Sequence, residues 1–451
     1  MSWLNTSSLK ASFKLAWPIS LQNTLVTLLG MVDVMMVSHL GDAAVAAVGL
    51  GNRIQFVVLV VIMGLSWGVG ILVAQYWGAQ QHEKIRRTVL MGSLIGVIAM
   101  LPIVFAFFYL ADDVIAIGSS DQQVIGLGES YLWITMPSLC LVAVIMVLEN
   151  TLRSINQVRL PMILSTIAIA INIVLNYWLI NGGLGVDALG VDGAALATTI
   201  SRGIHLALFL YVLIRALHPI IPHREDIKLL AKRSPWWKLL KIVWPMMFSF
   251  GVWSLGTFVY QLIYGQMGTK ELAVMSLLSP IEGMYISLFF GFASACAIMV
   301  GQNLGADKYD EAWSTARSFI FLAPIVGLLL GAILYSAKHW VFIPFADLPT
   351  PTLDLASDVF LIIGLGAWIK ITNMTSAMGV LRAGGETKAC LYIDIIGMWI
   401  VSIPLTYYCA FVLQLPLFWV ALATYSEEVT KAFLFMWRVL QKKWMRNLAN
   451  A

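Results

Sequence analysis

The chain has 451 residues, 60% of them hydrophobic and only 12% charged, with a mean hydropathy of +0.84. A water-soluble domain is nearer half apolar and a quarter charged, so the composition argues against a soluble enzyme. Lys and Arg number 28 against 24 Asp and Glu, too even a balance to point to a nucleic-acid partner.

Twelve apolar stretches are long enough to cross a hydrocarbon core of about 30 Å. They lie near 14–38, 46–73, 89–110, 131–149, 160–181, 190–214, 240–265, 274–300, 317–337, 356–380, 388–412 and 416–437. Their length, and the need to satisfy every backbone amide inside lipid, predict helices. The first follows Lys10 and Lys14 and runs to Ser38 without a small-residue cleavage site. It is therefore read as a retained first span and not as a signal peptide. With a cytoplasmic N-terminus, 22 basic residues fall in inside segments and two outside, Lys270 and Lys338. That excess places both termini in the cytoplasm of a multi-pass inner-membrane protein. Cys140, Cys296, Cys390 and Cys409 lie in or beside apolar segments without metal-ligand spacing, and they read as small buried hydrophobes.

The longest polar stretch, His218 to Lys238, carries Pro219, Pro222 and Pro235 and joins helix 6 to helix 7. It divides the chain into an N-terminal lobe (1–217), a linker (218–238) and a C-terminal lobe (239–451). Six helices per half give both halves the same orientation, so a repeat between them must be parallel. Sliding the sequence by 227 positions lays Trp17-Pro18 on Trp244-Pro245, Gly64 on Gly291, and Gln75 and Gly78 on Gln302 and Gly305. Over 17–79 this register gives 14 identities in 63 positions without a gap. Later, Leu152-Arg153 matches Leu381-Arg382, and Ala195-Leu-Ala-Thr198 matches Ala421-Leu-Ala-Thr424. The fold expected is all-α, with two parallel-repeat six-helix bundles. Duplicated halves around a pathway suit secondary transport, and no glycine-rich phosphate loop or dinucleotide fingerprint points to ATP hydrolysis.

The Trp-Pro pairs opening helices 1 and 7 resemble the multidrug and toxic compound extrusion (MATE) family. So do the run Leu152-Arg-Ser-Ile-Asn-Gln-Val-Arg-Leu-Pro161, the run Gly190-Val-Asp-Gly-Ala-Ala-Leu-Ala-Thr198 and the run Leu381-Arg-Ala-Gly-Gly-Glu-Thr-Lys388. The resemblance covers both halves and the linker. It implies a V-shaped pair of bundles and a cation-coupled antiporter that exports drugs as protons or sodium ions enter.

An ionisable residue inside a span is a functional candidate by default. Asp33 lies in helix 1 about five residues from its outer end, or roughly 8 Å deep, and its repeat counterpart is Tyr260. In a low-dielectric pocket such a carboxylate can exchange a proton near neutral pH, and the family similarly uses an acid at this place. The structural alternative is a fixed pair with a basic residue such as Arg53. Asn172 and Asn176 share one face of helix 5, and Thr198 lies in helix 6. These three can hydrogen-bond either protonation state of Asp33 or offer neutral oxygens to Na⁺. Equally, they are ordinary helix–helix contacts. The DinF-like branch commonly has Asp where Asn176 stands, so a second carboxylate beside Asp33 is missing. Pro18, near the inner end of helix 1, is a candidate hinge or a fixed kink.

The NorM-like branch carries acids in helices 7 and 10, where this chain has none and has Lys370 instead, which argues for the N-lobe type of site. Glu282 in helix 8 and Lys370 are secondary candidates. Glu427 and Glu428 are possible partners of Lys370 or Lys431, and Glu149, Asp394, Arg202 and His205 read as structural. The expected function is proton-driven export of cationic amphipathic compounds by a monomer in membrane lipid. No catalytic residue, metal or cofactor beyond the coupling ion is expected. Sodium coupling is the nearer alternative and a lipid-linked oligosaccharide flippase the more distant one. A membrane enzyme would need paired acids or metal-spaced histidines, and the six histidines are scattered.

Overall fold

The computed structural model describes residues 6–183, 185–229, 233–343 and 349–450, so part of the linker, 230–232, lies outside the described residues. Among the described residues no strand forms beyond an isolated bridge between Gly183 and Val186. The helices are α1 (Thr6–Met36), α2 (Asp42–Gly78), α3 (His82–Ala116), α4 (Gln122–Ser154), α5 (Arg159–Asn181) and α6 (Gly190–Arg215). After the short linker helix Arg224–Leu229 come α7 (Arg233–Met267), α8 (Thr269–Gly305), α9 (Tyr309–Ser336), α10 (Thr350–Leu381) and α11 (Thr387–Val412). The twelfth segment, α12, forms as Leu417–Thr424 followed by Ser426–Leu440.

Among the described residues eleven helices are long and apolar enough to span a membrane. The twelfth falls short because it is interrupted at Tyr425 and because Glu427, Glu428 and Lys431 dilute its apolar window. Hydropathy and burial together identify the solvent. The α2 window has a hydropathy of 2.6 and is 72% buried. Those of α3 and α9, at 2.5 and 2.3, are only 22% buried. Outward apolar faces this extensive, with Ile98, Phe105, Leu329 and Ile333 about three-fifths exposed, require lipid around them. The chain is a polytopic membrane protein.

The chain packs as two compact units, one of residues 21–247 and one of residues 1–20 with 248–451. The units are therefore not bounded by the linker. α1 and α7 each pass from one unit to the other two residues after their proline, Pro18 and Pro245. This explains the shared glycines Gly64 and Gly291. In the first unit α2 meets the early part of α7, and a Cβ on Gly64 would stand 2.7 Å from Met247 Cα and 2.8 Å from Met246 O. In the second, α8 meets the early part of α1, and a Cβ on Gly291 would stand 2.5 Å from Ala16 O and 2.8 Å from Ser20 N. Each duplicated glycine admits a backbone that arrives from the other half of the sequence.

The repeat extends to the ends of the helices that carry the basic loops. The register pairing Ala195 with Ala421 also pairs His218 with Trp444, and the one pairing Arg153 with Arg382 pairs Gln157 with Glu386. In the first unit His218 Nε2 lies 2.9 Å from Gln157 Oε1, while Asp226 holds Arg86 at 2.8 Å and Arg87 at 3.2 Å. In the second, the fully buried Trp444 packs against Gly384. Glu386 there accepts from Arg438 at 2.5 Å and from Arg446 at 3.0 Å. Each bundle is thus capped by the chain that leaves its sixth helix.

Candidate functional site

Asp33 sits on α1 and is 9% exposed. Asn176 Nδ2 on α5 donates to its Oδ1 at 2.7 Å and to Asn172 Oδ1 at 3.0 Å. One turn along the helix, Asn172 Nδ2 donates to Ser201 Oγ on α6 at 3.1 Å, and Ser201 Oγ donates to the Thr198 carbonyl at 2.9 Å. The i, i+4 spacing of the two asparagines makes this chain possible, because it stacks their amides on one face. Tyr131 on α4 closes the other side. Its hydroxyl donates to Asn52 Oδ1 at 2.9 Å and faces Thr198 and Gln55. Arg202 lies within electrostatic reach of Asp33 and Tyr131, while its Nη1 donates to Ser138 Oγ at 2.7 Å. Arg53, the basic partner considered from sequence, is exposed, and no ion pair among the described residues joins it to Asp33.

The four expected residues Asp33, Asn172, Asn176 and Thr198 therefore converge in one unit. Asn176 Oδ1 is buried without a hydrogen-bond partner. An amide in that state suits a site that changes, since its nitrogen serves a carboxylate and its oxygen can serve a carboxylic acid or a cation. Sequence reasoning missed Ser201, Tyr131 and Asn52. Ser201 was within reach of inspection, three residues beyond Thr198. Tyr131 and Asn52 carry no local signal because only the packing of α2 and α4 brings them in. Pro18 lies inside a continuous α1. Among the described residues no group of His, Cys, Asp and Glu is placed to hold a metal ion.

A second polar network lies in the same unit. Gln22 of α1 takes a bond from Arg153 Nη2 at 2.6 Å and donates to Glu149 Oε1 at 2.8 Å. Ser165 also donates to Glu149 at 3.1 Å, and His205 Nε2 stands 3.9 Å from it. The C-terminal unit repeats this network with the arginine kept and the carboxylate moved. Ser249, Arg382 and Asp394 stand at the repeat positions of Gln22, Arg153 and Ser165. Asp394 Oδ2 accepts from Ser249 Oγ at 2.6 Å and from Arg382 Nη2 at 2.8 Å, and its Oδ1 lies 3.3 Å from Lys431.

Lys431 also donates to Glu427 Oε1 at 2.6 Å. Glu427 Oε2 lies 2.9 Å from the hydroxyl of Tyr260, which occupies the repeat place of Asp33 and stands 2.7 Å from Ser402 Oγ. The C-terminal unit has therefore moved its acid from the first helix of the repeat to the sixth. Ser402 ends a π-helical turn, Ile396–Ser402, whose widening is explained by Pro404, which has no N–H to continue the α pattern. Lys370 pairs with Glu282 on α8, and Glu428 accepts from Asn373 Nδ2 at 2.8 Å. Of the pairings considered from sequence, Lys431 takes Glu427 and Lys370 takes neither Glu427 nor Glu428.

Known proteins agree with this architecture. The family model described as MatE matches the chain twice, over residues 18–178 and 245–408, and both matches begin at the proline of a Trp-Pro pair. A Thermotoga maritima protein named "Probable multidrug resistance protein NorM" is 25% identical over 96% of this chain and 93% of its own length. "Multidrug resistance protein NorM" of Burkholderia vietnamiensis is 26% identical over 88% of this chain and 86% of its own. A solved structure titled "Outward-facing conformation of a multidrug resistance MATE family transporter of the MOP superfamily" superposes with a TM-score of 0.88 at 19% identity. It covers 97% of this chain and 96% of that one. With both halves of the chain matched by one family model, this protein belongs to the MatE family of membrane transporters.

Proposed function

We propose that the protein exports cationic, amphipathic compounds across the inner membrane in exchange for protons, and that Asp33 carries the proton. The observation that supports this most is the pairing of a buried carboxylate with a neutral amide whose oxygen is idle. A carboxylate committed to an arginine would stay ionised, because breaking a buried ion pair costs several kcal/mol. Asp33 instead rests on Asn176 Nδ2, and a rotated Asn176 side chain would present Oδ1 to the protonated acid. Arg202 gives its hydrogen bond to Ser138 Oγ and not to Asp33. Both protonation states thus have a partner, as proton exchange requires.

In this scheme both termini are cytoplasmic, as the distribution of basic residues indicates, and the protein acts as a monomer. Ionised Asp33 accompanies uptake of substrate from the cytoplasmic side. A proton arriving from outside neutralises Asp33, α1 bends at Pro18, and the substrate leaves outward. The drug-resistance names of its relatives support the substrate class. Sodium is the second reading, favoured by the unpartnered Asn176 Oδ1 beside a single carboxylate.

The test is dye efflux at matched membrane expression, followed by transport in liposomes under separate pH and Na⁺ gradients. Gradient-driven export is expected to be lost in Asp33→Asn and to follow the pH gradient in the wild type. Export by Asp33→Asn at the wild-type rate refutes the role of Asp33, and export driven by Na⁺ alone replaces the proton with sodium.

A further inference from the structure

The C-terminal unit contains a second cluster of ionisable groups whose polar atoms are not all used. The Lys370 ammonium rests on the Glu282 carboxylate and over the ring of Tyr425, 5.1 Å from its centroid. Asn373 and Tyr285, 4% and 5% exposed, leave Oδ1 and Oη buried without partners, and the Tyr425 hydroxyl is likewise unpartnered. Tyr285 packs in one cluster with Ala367 and Ile371, on the helix that carries Lys370 and Asn373, and lies within electrostatic reach of Lys370, Glu282 and Glu428. Asn373 borders it, with its Nδ2 on Glu428 Oε2. Buried polar atoms without partners are rare, and each needs an explanation. Three such oxygens on elements that carry Lys370 and its neighbours call for a ligand with several N–H donors.

Charge points the same way, because Glu282 and Glu428 both face Lys370, and the other ammonium within reach of Glu428, Lys431, is already held by Glu427 and Asp394. Lys370 is already within electrostatic reach of Glu428. The side chains of Lys370 and Glu282 remain 26% and 25% exposed, which gives a ligand access.

The geometry points to a cation-binding site in which Lys370 is a tethered stand-in for the ligand. An amphipathic protonated amine or guanidinium takes the place of the Lys370 ammonium on Glu282 and over the face of Tyr425. Its remaining N–H groups serve Asn373 Oδ1 and the Tyr285 hydroxyl. Lys370 swings to Glu428, and the cluster becomes neutral. The ligand class rests on the exporter reading, whereas the site itself rests on these contacts.

The experiment is calorimetric binding to the full-length protein in nanodiscs, without any ion gradient. The probes are 4-phenylbutylguanidinium and its trimethylammonium analogue, which has the same charge and no N–H. The guanidinium is expected to bind about tenfold tighter than the analogue. Lys370→Met removes the internal competitor and is expected to tighten guanidinium binding about tenfold. Since that change leaves two acids unpaired, the charge-balanced Lys370→Met/Glu428→Gln variant is measured beside it and is also expected to bind tighter than wild type. Tyr285→Phe, which removes only an idle hydroxyl, is expected to weaken binding about fivefold at an unchanged melting midpoint.

Folded Lys370 variants that bind no tighter than wild type overturn the proposal, as do equal affinities for the two probes together with an indifferent Tyr285→Phe. The outcomes separate from those of the exporter test. Flat binding with proton-driven efflux intact removes this site alone, and the expected binding pattern with wild-type efflux from Asp33→Asn removes the coupling scheme alone.

Discussion

Replacing Gly64 by alanine tests the packing in which each unit receives the first part of a helix from the other half of the chain. The added Cβ would stand 2.7 Å from Met247 Cα, 2.8 Å from Met246 O and 2.9 Å from Met246 C. All three are backbone atoms, so no rotamer change relieves the overlap, and α2 and α7 must separate. Overpacking of this kind costs about 1–3 kcal/mol, and three contacts under 3 Å put Gly64 at the upper end. The gain in helix propensity from Gly to Ala offsets about 1 kcal/mol. The net loss is about 2 kcal/mol, or about 4–8 °C in the melting midpoint of a unit of this size. The assay is thermal unfolding of the purified protein, followed by tryptophan fluorescence. Gly291→Ala is expected to reproduce the loss, because its Cβ meets Ala16 O at 2.5 Å and Ser20 N at 2.8 Å. Gly126, with nothing within 4 Å, is the control, and its alanine variant is expected to melt at or above wild type. If Gly64→Ala melts with Gly126→Ala, the close approach of α2 and α7 is refuted.

Two further predictions concern the ends of the bundles. Trp444→Ala empties a fully buried position and is expected to destabilise by about 3–5 kcal/mol, read as a lower melting midpoint and faster protease release of the C-terminal tail. In the N-terminal cap, burial holds the His218 imidazole below its ordinary 6.5, so the packed form prefers it neutral. Cap stability is therefore full above that value and declines as pH falls below it. For Asp226, burial pushes the carboxyl up, but the hydrogen bonds and charge of Arg86, the His223 amide and Arg87 outweigh it and hold the group below 3.8. Its contribution persists to pH values below 3.8. Limited proteolysis of the linker is thus expected to speed up in two separate steps as pH falls. The first is expected to vanish in His218→Gln, and a single step in the wild type would contradict the assignment.

The spans, the duplication and the shared face of Asn172 and Asn176 were legible in the sequence because each depends on local period or repeat register, and Asp33 because it is an ionisable residue inside a span. Apolar length declares a helix in lipid, a shared offset declares a copied bundle, and two amides four residues apart must share a face. The sequence also showed Gly64 matching Gly291, but not why. That Pro18 and Pro245 stand two residues before the chain changes unit follows only from which backbones pack together. The partners of the charges were also decided in three dimensions. Glu282, Glu427, Glu428, Lys370 and Lys431 are all acids and bases of similar reach, and the sequence treats their pairings as interchangeable. Lys431 takes Glu427 from its own helix, i, i+4, whereas tertiary packing adds Asp394 to it and leaves Lys370 to Glu282. A one-dimensional pattern fixes which residues are buried on a helix, whereas the angle and depth at which helices cross fix which buried groups meet.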